Sequence, residues 1–216
     1  MICTMTLLDV EAPAKAFEPG STGWTATDLD DPAIERQWSA GRYEIIEGVL
    51  SVMAAAFFVG GEGLHNLIDR VKDHLRATVG TRVGFSGEVD VVIDEPRVLR
   101  ADAVYLDRDA KHRQAAAARA AGRRDPRRTR ILVPPTLVIE SVSPGHEAHD
   151  RRTKRRWYAE FGVPNYWLLD VFDRSLECLV LDGPAYRQDA AGRDADVVRP
   201  AAFPELAIPL AEVWEE

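Results

Sequence analysis

The stretch from Leu137 to Asp170 constrains the fold more than any other part of the chain. Leu137, Val138 and Ile139 are a short apolar run of the kind that fills a buried strand. Ser143-Pro144-Gly145 then breaks the chain, a helical pattern runs from about Glu147 to Phe161, and Gly162 and Pro164 stop it before the apolar NYWLLD. Strand, helix and strand in that order read as a right-handed crossover between parallel strands, which needs a sheet with helices on its faces. One residue disturbs this pattern. The first strand ends on Glu140, and a carboxylate is costly to bury without a counter-charge, hydrogen bonds, a proton or a metal ion.

The rest of the chain supplies the partners of that unit. YEIIEGVLSVM places two short apolar runs around Glu47-Gly48, a hairpin signal. In LHNLIDRVKDHLRATVG the residues Leu64, Leu67, Ile68, Val71 and Leu75 share one helical face, with charges opposite. VDVVID and VLRADAVYLD are alternating, β-branched runs separated by Glu95-Pro96, and Asp102 lies within the second. NYWLLDVF and SLECLVLDG read as a strand pair around Asp173-Arg174, and AFPELAIPLAEVWEE as a short strand and a terminal turn. Together these elements predict an α/β (α+β) fold, a mixed β-sheet flanked by helices. Residues 1–40, rich in Pro, Gly, Thr and Asp, read as an extension of uncertain order, and 41–216 as a single domain.

Composition narrows the class. With 216 residues, 46% of them apolar, the chain can bury a sizeable core. Neither a membrane span nor a signal peptide is expected, which predicts a cytoplasmic protein. Cys3 and Cys178 stand in unlike contexts and support neither a disulfide framework nor a cysteine zinc site. The net charge of -8 argues against coating DNA non-specifically. Charge is uneven, however: Lys111 to Arg130 holds eight Lys and Arg against one acid, Asp125. This basic insertion at about 110–130 reads either as a solvated, partly helical loop or as a phosphate-contacting arm.

Asp102 and Glu140 are the residues whose chemistry needs explaining. If their strands are neighbours, the two carboxylates can point to one spot on the sheet. Two such carboxylates suit an octahedral hard cation, Mg²⁺ or Mn²⁺, and Lys154, four residues after Asp150, could supply an ammonium beside it. Plainer readings fit the same residues. Asp150 and Lys154 could be a helix-surface pair, Asp102 could pair with Arg100, and Glu140 with an arginine of RRTKRR.

The series YEIIEGVLSVM, His65 opening a helix, VDVVID…LRADAVYLD, LVIESVSP and HDRRTKRRWYAEFGVPNYWLLD resembles the Uma-type, restriction-endonuclease-like family, a branch of the PD-(D/E)xK nuclease superfamily. The likeness runs from about Tyr43 to Leu181 and is most specific from Glu140 to Asp170. The resemblance implies a restriction-endonuclease-like core and a Mg²⁺-dependent (or Mn²⁺-dependent) endonuclease acting on nucleic acid, DNA foremost. It places Asp102 and Glu140 as metal-binding residues and Lys154 as the third catalytic residue, supplied from the helix where the strand position two after the glutamate holds Val142. Glu44, His65 and Asp150 become possible supporting residues, and Tyr158, at another recurrent position, reads as a packed helix residue. Ala101 stands where the signature has proline. That departure and the acidic net charge favour a second reading, a catalytically silent nucleic-acid-binding or protein-interaction module. A homodimer is also expected, with the YWLLD and SLECLVLDG strands offering apolar surface.

Other motifs carry less. His146-x-x-His149 lacks a third clustered ligand for zinc. Ser141 and Ser143 form no nucleophile elbow, VGGEG at 59–63 lacks the lysine of a phosphate loop, and Trp157 and Trp167 fit a core better than a base-stacking platform.

Overall fold

Glu47 and Gly48 both take positive φ, 50° and 79°, as the two-residue turn of a tight hairpin requires. That turn joins β1 (Tyr43–Ile46) to β2 (Val49–Val52), with Ile46 opposite Val49. The computed structural model describes residues 15–53, 58–79, 85–122, 130–142 and 149–214. It divides into two compact units, one made of the N-terminal part to Met53 with Asp94–Val98, the other of Ala54–Ile93 and Leu99–Glu216. In the first unit a single 3-10 turn (Thr27–Asp30) leads into α1 (Pro32–Ser39), capped by the Asp31 side chain accepting from Ala33 N at 2.7 Å. Trp24, Leu29, Ile34, Trp38, Ile45 and Leu50 are buried there. Regular structure therefore begins inside the segment expected to be of uncertain order, because Asp31-Pro32 is a strong helix start.

The second unit is built on a mixed sheet. Its helix α2 spans Phe58–Val79, six residues earlier than the periodic pattern indicated. Gly63 lies in this earlier part: a Cβ there would come within 3.1 Å of Val171 Cγ1, so the glycine lets the helix approach closely. β3 (Phe85–Asp94) pairs with β4 (Arg97–Tyr105). Next come α3 (Arg108–Ala120), β5 (Leu137–Ser141), a π-helical turn (His149–Lys154), α4 (Arg155–Phe161) and β6 (Asn165–Asp170). β7 (Ser175–Asp182), β8 (Ala185–Arg193), the short β9 (Val197–Val198) and β10 (Ile208–Pro209), and α5 (Leu210–Trp214) complete it. The end of the chain is thus a helix, where a terminal turn was expected. β5 is antiparallel to β4 and parallel to β6, as a crossover demands, and β7 and β8 continue antiparallel.

Side chains alternate across these strands, and the two faces differ in kind. Ala103, Tyr105, Leu137, Ile139, Trp167 and Leu169 share one face, packed with Leu67, Ile68, Val71 and Leu75 of α2 and with Leu210 and Val213 of α5. Asp102, Val104, Val138, Glu140, Tyr166 and Leu168 take the other. In β6 and β7, expected to offer apolar surface to a dimer, Tyr166, Trp167, Leu168, Leu169, Leu176, Cys178 and Leu179 are buried within the unit, while Val180 and Leu181 are half-buried. VGGEG lies within α2, and Trp157 and Trp167 are each 1% exposed core residues.

The basic insertion is partly α3, whose start is capped by Asp107 accepting from Ala110 N at 2.7 Å. Ala110, Gln114 and Ala118 face inward, and the Gln114 amide donates to Arg130 O at 2.7 Å and accepts from Leu132 N at 2.8 Å. Arg130 is buried, 3.5 Å from Asp90, so this arginine serves the interior. Residues 123–129, with Asp125, lie outside the described residues, as do Cys3, Ser143-Pro144-Gly145, His146 and Glu147.

Ile139 sits at the centre of the α2-facing core with no exposure. Ile139→Ala should lower the unfolding free energy by about 2–5 kcal/mol, read from urea denaturation, whereas Val197→Thr at a 42% exposed site should change it by less than about 0.5 kcal/mol.

Candidate active site

The register that sets Ala103 opposite Ile139 and Val104 opposite Val138 brings Asp102 level with Glu140 when carried one step further, with both side chains on the face away from α2. The Asp102 carboxylate reaches across and accepts the main-chain N–H of Ser141 at 2.8 Å. Asp102 is half-buried, and Glu140 is 1% exposed. Asp102 is thus tied to its neighbouring strand. Arg100, the partner considered for it, donates to Asp90 at 2.9 Å.

Glu140 is satisfied by the helix laid over this face. The Lys154 ammonium lies 3.1 Å from Glu140 Oε2, and the Tyr158 hydroxyl donates to Oε1 at 2.9 Å. Lys154 is itself 1% exposed, with the Arg100 carbonyl at 3.4 Å and Asp150 Oδ1 at 3.5 Å. The pairing of Asp150 with Lys154 is therefore an interior one, since Asp150 is only 5% exposed, and the arginines of RRTKRR give way to Lys154 as the partner of Glu140. Arg151, one of them, pairs with Asp170 at 3.0 Å and Glu177 at 3.5 Å.

Local sequence explains how the helix presents these groups. The turn from His149 to Lys154 is π-helical, a wide form that recurs at functional sites. α4 ends at Gly162, whose φ of 88° closes the last turn with Gly162 N and Val163 N both donating to Tyr158 O. Tyr166 packs beside Tyr158 with ring centroids 5.3 Å apart and donates its hydroxyl to Asp150 O at 3.0 Å. Burial, and then the negative charges of Glu140 and Asp150, push the Tyr166 phenol well above its ordinary value.

Asp102, Glu140, Asp150 and Lys154 thus come together in the second unit. Glu44 and His65 belong to other elements. Glu44 is a buried residue of β1 in the first unit, and His65 is exposed on α2, the helix that covers the opposite sheet face. Tyr158, read from sequence as packing, is bonded to Glu140. Its spacing of four from Lys154 was the available signal, because residues four apart share a helix face.

Asp102 and Glu140 could hold a hard cation such as Mg²⁺, which typically binds through one or two carboxylates and retains several waters. Among the described residues no three or more His, Cys, Asp or Glu are grouped so that they could hold a metal ion, and two carboxylates alone do not make a closed four-ligand zinc centre.

The family model described as "Uma2: Putative restriction endonuclease" matches residues 33–211, and the chain belongs to that family. Among solved structures the chain is similar to "a putative nuclease belonging to DUF820 from Anabaena variabilis ATCC 29413", at 12% identity and a TM-score of 0.60, over 80% of this chain and 89% of that one. The likeness is one of fold. None of the curated proteins matches. Among the described residues no helix is long and apolar enough to cross a membrane.

Lys154→Met should be strongly destabilising, by about 3–5 kcal/mol, because it leaves buried carboxylates without their counter-charge. Adding Glu140→Gln should return part of that loss in urea denaturation. A pH effect follows from the raised pKa values of Tyr166, Tyr186 and Cys178, each caused first by burial. These groups stay protonated in the folded chain while the unfolded chain loses protons above the ordinary thiol and phenol values. The stability is fully present below about pH 8 and should fall as pH rises past 9 to 10, by about 1.4 kcal/mol per pH unit per group. Urea midpoints from pH 8 to 11 measure this, and Tyr166→Phe should flatten the slope.

Proposed function

We propose that this chain is a metal-dependent endonuclease that hydrolyses phosphodiester bonds in nucleic acid, with DNA as the first substrate to test. The observation that supports it most is the arrangement of Asp102 and Glu140 level on neighbouring strands, with the buried Lys154 ammonium 3.1 Å from Glu140. A stability role alone does not account well for it, since a buried ion pair is weak evidence for stability and an apolar substitute is often as good. Family membership adds the reaction class.

Asp102 and Glu140 would bind Mg²⁺ or Mn²⁺. Bound there, the ion would polarise a phosphoryl oxygen and lower the pKa of a coordinated water. Lys154 offers a positive charge in a water-poor setting, where it acts on the developing charge of the phosphorus centre more strongly than in bulk solvent. Asp150 lies beside that ammonium, with Oδ1 at 3.5 Å. Ala101 in place of the signature proline changes the backbone and removes no reacting group.

The test is cleavage of labelled single- and double-stranded DNA and RNA with Mn²⁺ or Mg²⁺, comparing wild type with Asp102→Asn, Glu140→Gln and Lys154→Met. Wild type should cut at least one substrate, and each variant should be slower by about 100-fold or more while retaining folded circular dichroism. Variants that cut as fast as wild type would overturn the assignment. Absence of cutting and of Mn²⁺ binding by the wild type would favour the silent module.

A further inference from the structure

Three tyrosines stack through the helix-covered side of the sheet, and they differ in what their hydroxyls hold. Tyr158 and Tyr166 have ring centroids 5.3 Å apart, and Tyr166 and Tyr186 5.7 Å. Tyr186 donates to Val163 O at 2.7 Å and Tyr166 to Asp150 O at 3.0 Å, both main-chain carbonyls. Tyr158, with no exposure, donates to a carboxylate oxygen. The first two hydroxyls hold backbone in place, and the third holds a side chain of the candidate site.

We propose that Tyr158 is a positioning residue that sets the orientation of the Glu140 carboxylate for metal binding. This rests on the reading of Glu140 as a metal ligand. Lys154 and Tyr158, four residues apart, address different oxygens of the one carboxylate, Oε2 and Oε1. Two donors on two oxygens define the plane of the group, which a single contact leaves free to turn. The donors differ in kind. Lys154 is a flexible chain whose ammonium is shared among Glu140, Asp150 and the Arg100 carbonyl, so its hold on Oε2 can relax when other charge enters. Tyr158 is a rigid ring packed against Tyr166, which is itself tied to Asp150 O. The hydroxyl is therefore the fixed point, and it supports a ligand in the way outer-shell hydrogen bonds orient metal-binding carboxylates.

Tyr158→Phe removes the hydroxyl and keeps the ring, so packing survives. Mn²⁺ titration of wild type, Tyr158→Phe, Tyr186→Phe and Glu140→Gln by calorimetry separates the possibilities, each protein first shown folded by circular dichroism. Tyr158→Phe should weaken Mn²⁺ binding by about 10-fold or more, while Tyr186→Phe, which frees only the Val163 carbonyl, should lower thermal stability and leave the affinity unchanged. In cleavage assays, raising the Mn²⁺ concentration should rescue Tyr158→Phe and not Glu140→Gln, a result that a purely structural tyrosine would not give. Tyr158→His, which restores a ring N–H donor, should recover part of the affinity. Wild-type affinity in Tyr158→Phe alongside lost binding in Glu140→Gln would overturn the positioning role and leave the ligand reading intact. No Mn²⁺ binding by the wild type, or unchanged binding in Glu140→Gln, would overturn the ligand reading and this inference with it.

Discussion

A carboxylate with 1% exposure at the end of a core strand can exist only if something answers its charge, and here Lys154 does so at 3.1 Å. Much of the second unit follows from that requirement. The crossover between the parallel strands β5 and β6 has to bring a helix over one sheet face, that helix has to carry a cation inward, and the cation needs acceptors of its own. Asp150 and the Arg100 carbonyl provide them. The result is a polar cluster on one face of a sheet whose other face is an ordinary apolar core under α2.

The strands show how one alternation serves both purposes. Ile139 and Glu140 are adjacent in sequence and point to opposite faces, so a strand that builds the core with one residue builds the candidate site with the next. Asp102 and Ala103 do the same on β4. The apolar core and the candidate site thereby lie on opposite faces of the sheet, and substitutions on the Glu140 face act through the Lys154 cluster and not through the packing of α2.

Much of this was legible in the residues because it depends on short-range patterns. The hairpin at Glu47-Gly48, the strand pair around Glu95-Pro96 and the crossover from Leu137 to Asp170 all follow from turn chemistry and periodicity, and their register brings Asp102 level with Glu140. What escaped was tertiary. The helix begins before the periodic pattern at Leu64, and the close approach of Val171 that favours Gly63 within it lies over a hundred positions away in the chain. The segment before Tyr43 hid a helix because its period is short. Tyr158 looked like packing because its spacing of four from Lys154 gives a shared helix face but does not name Glu140, a residue of another element, as the acceptor of its hydroxyl.

The π-helical turn from His149 to Lys154 has a consequence for angular phase around the helix axis. In a regular α-helix four residues overshoot a full rotation, so positions such as 150, 154 and 158 drift steadily around the cylinder. A π-turn is wider, and four residues fall short of a rotation. The step from Asp150 to Lys154 is made in the wide form and the step from Lys154 to Tyr158 in the regular one, so the two errors oppose each other. Three polar groups can then face the sheet along one line, where a uniform helix would have turned the outermost of them toward solvent.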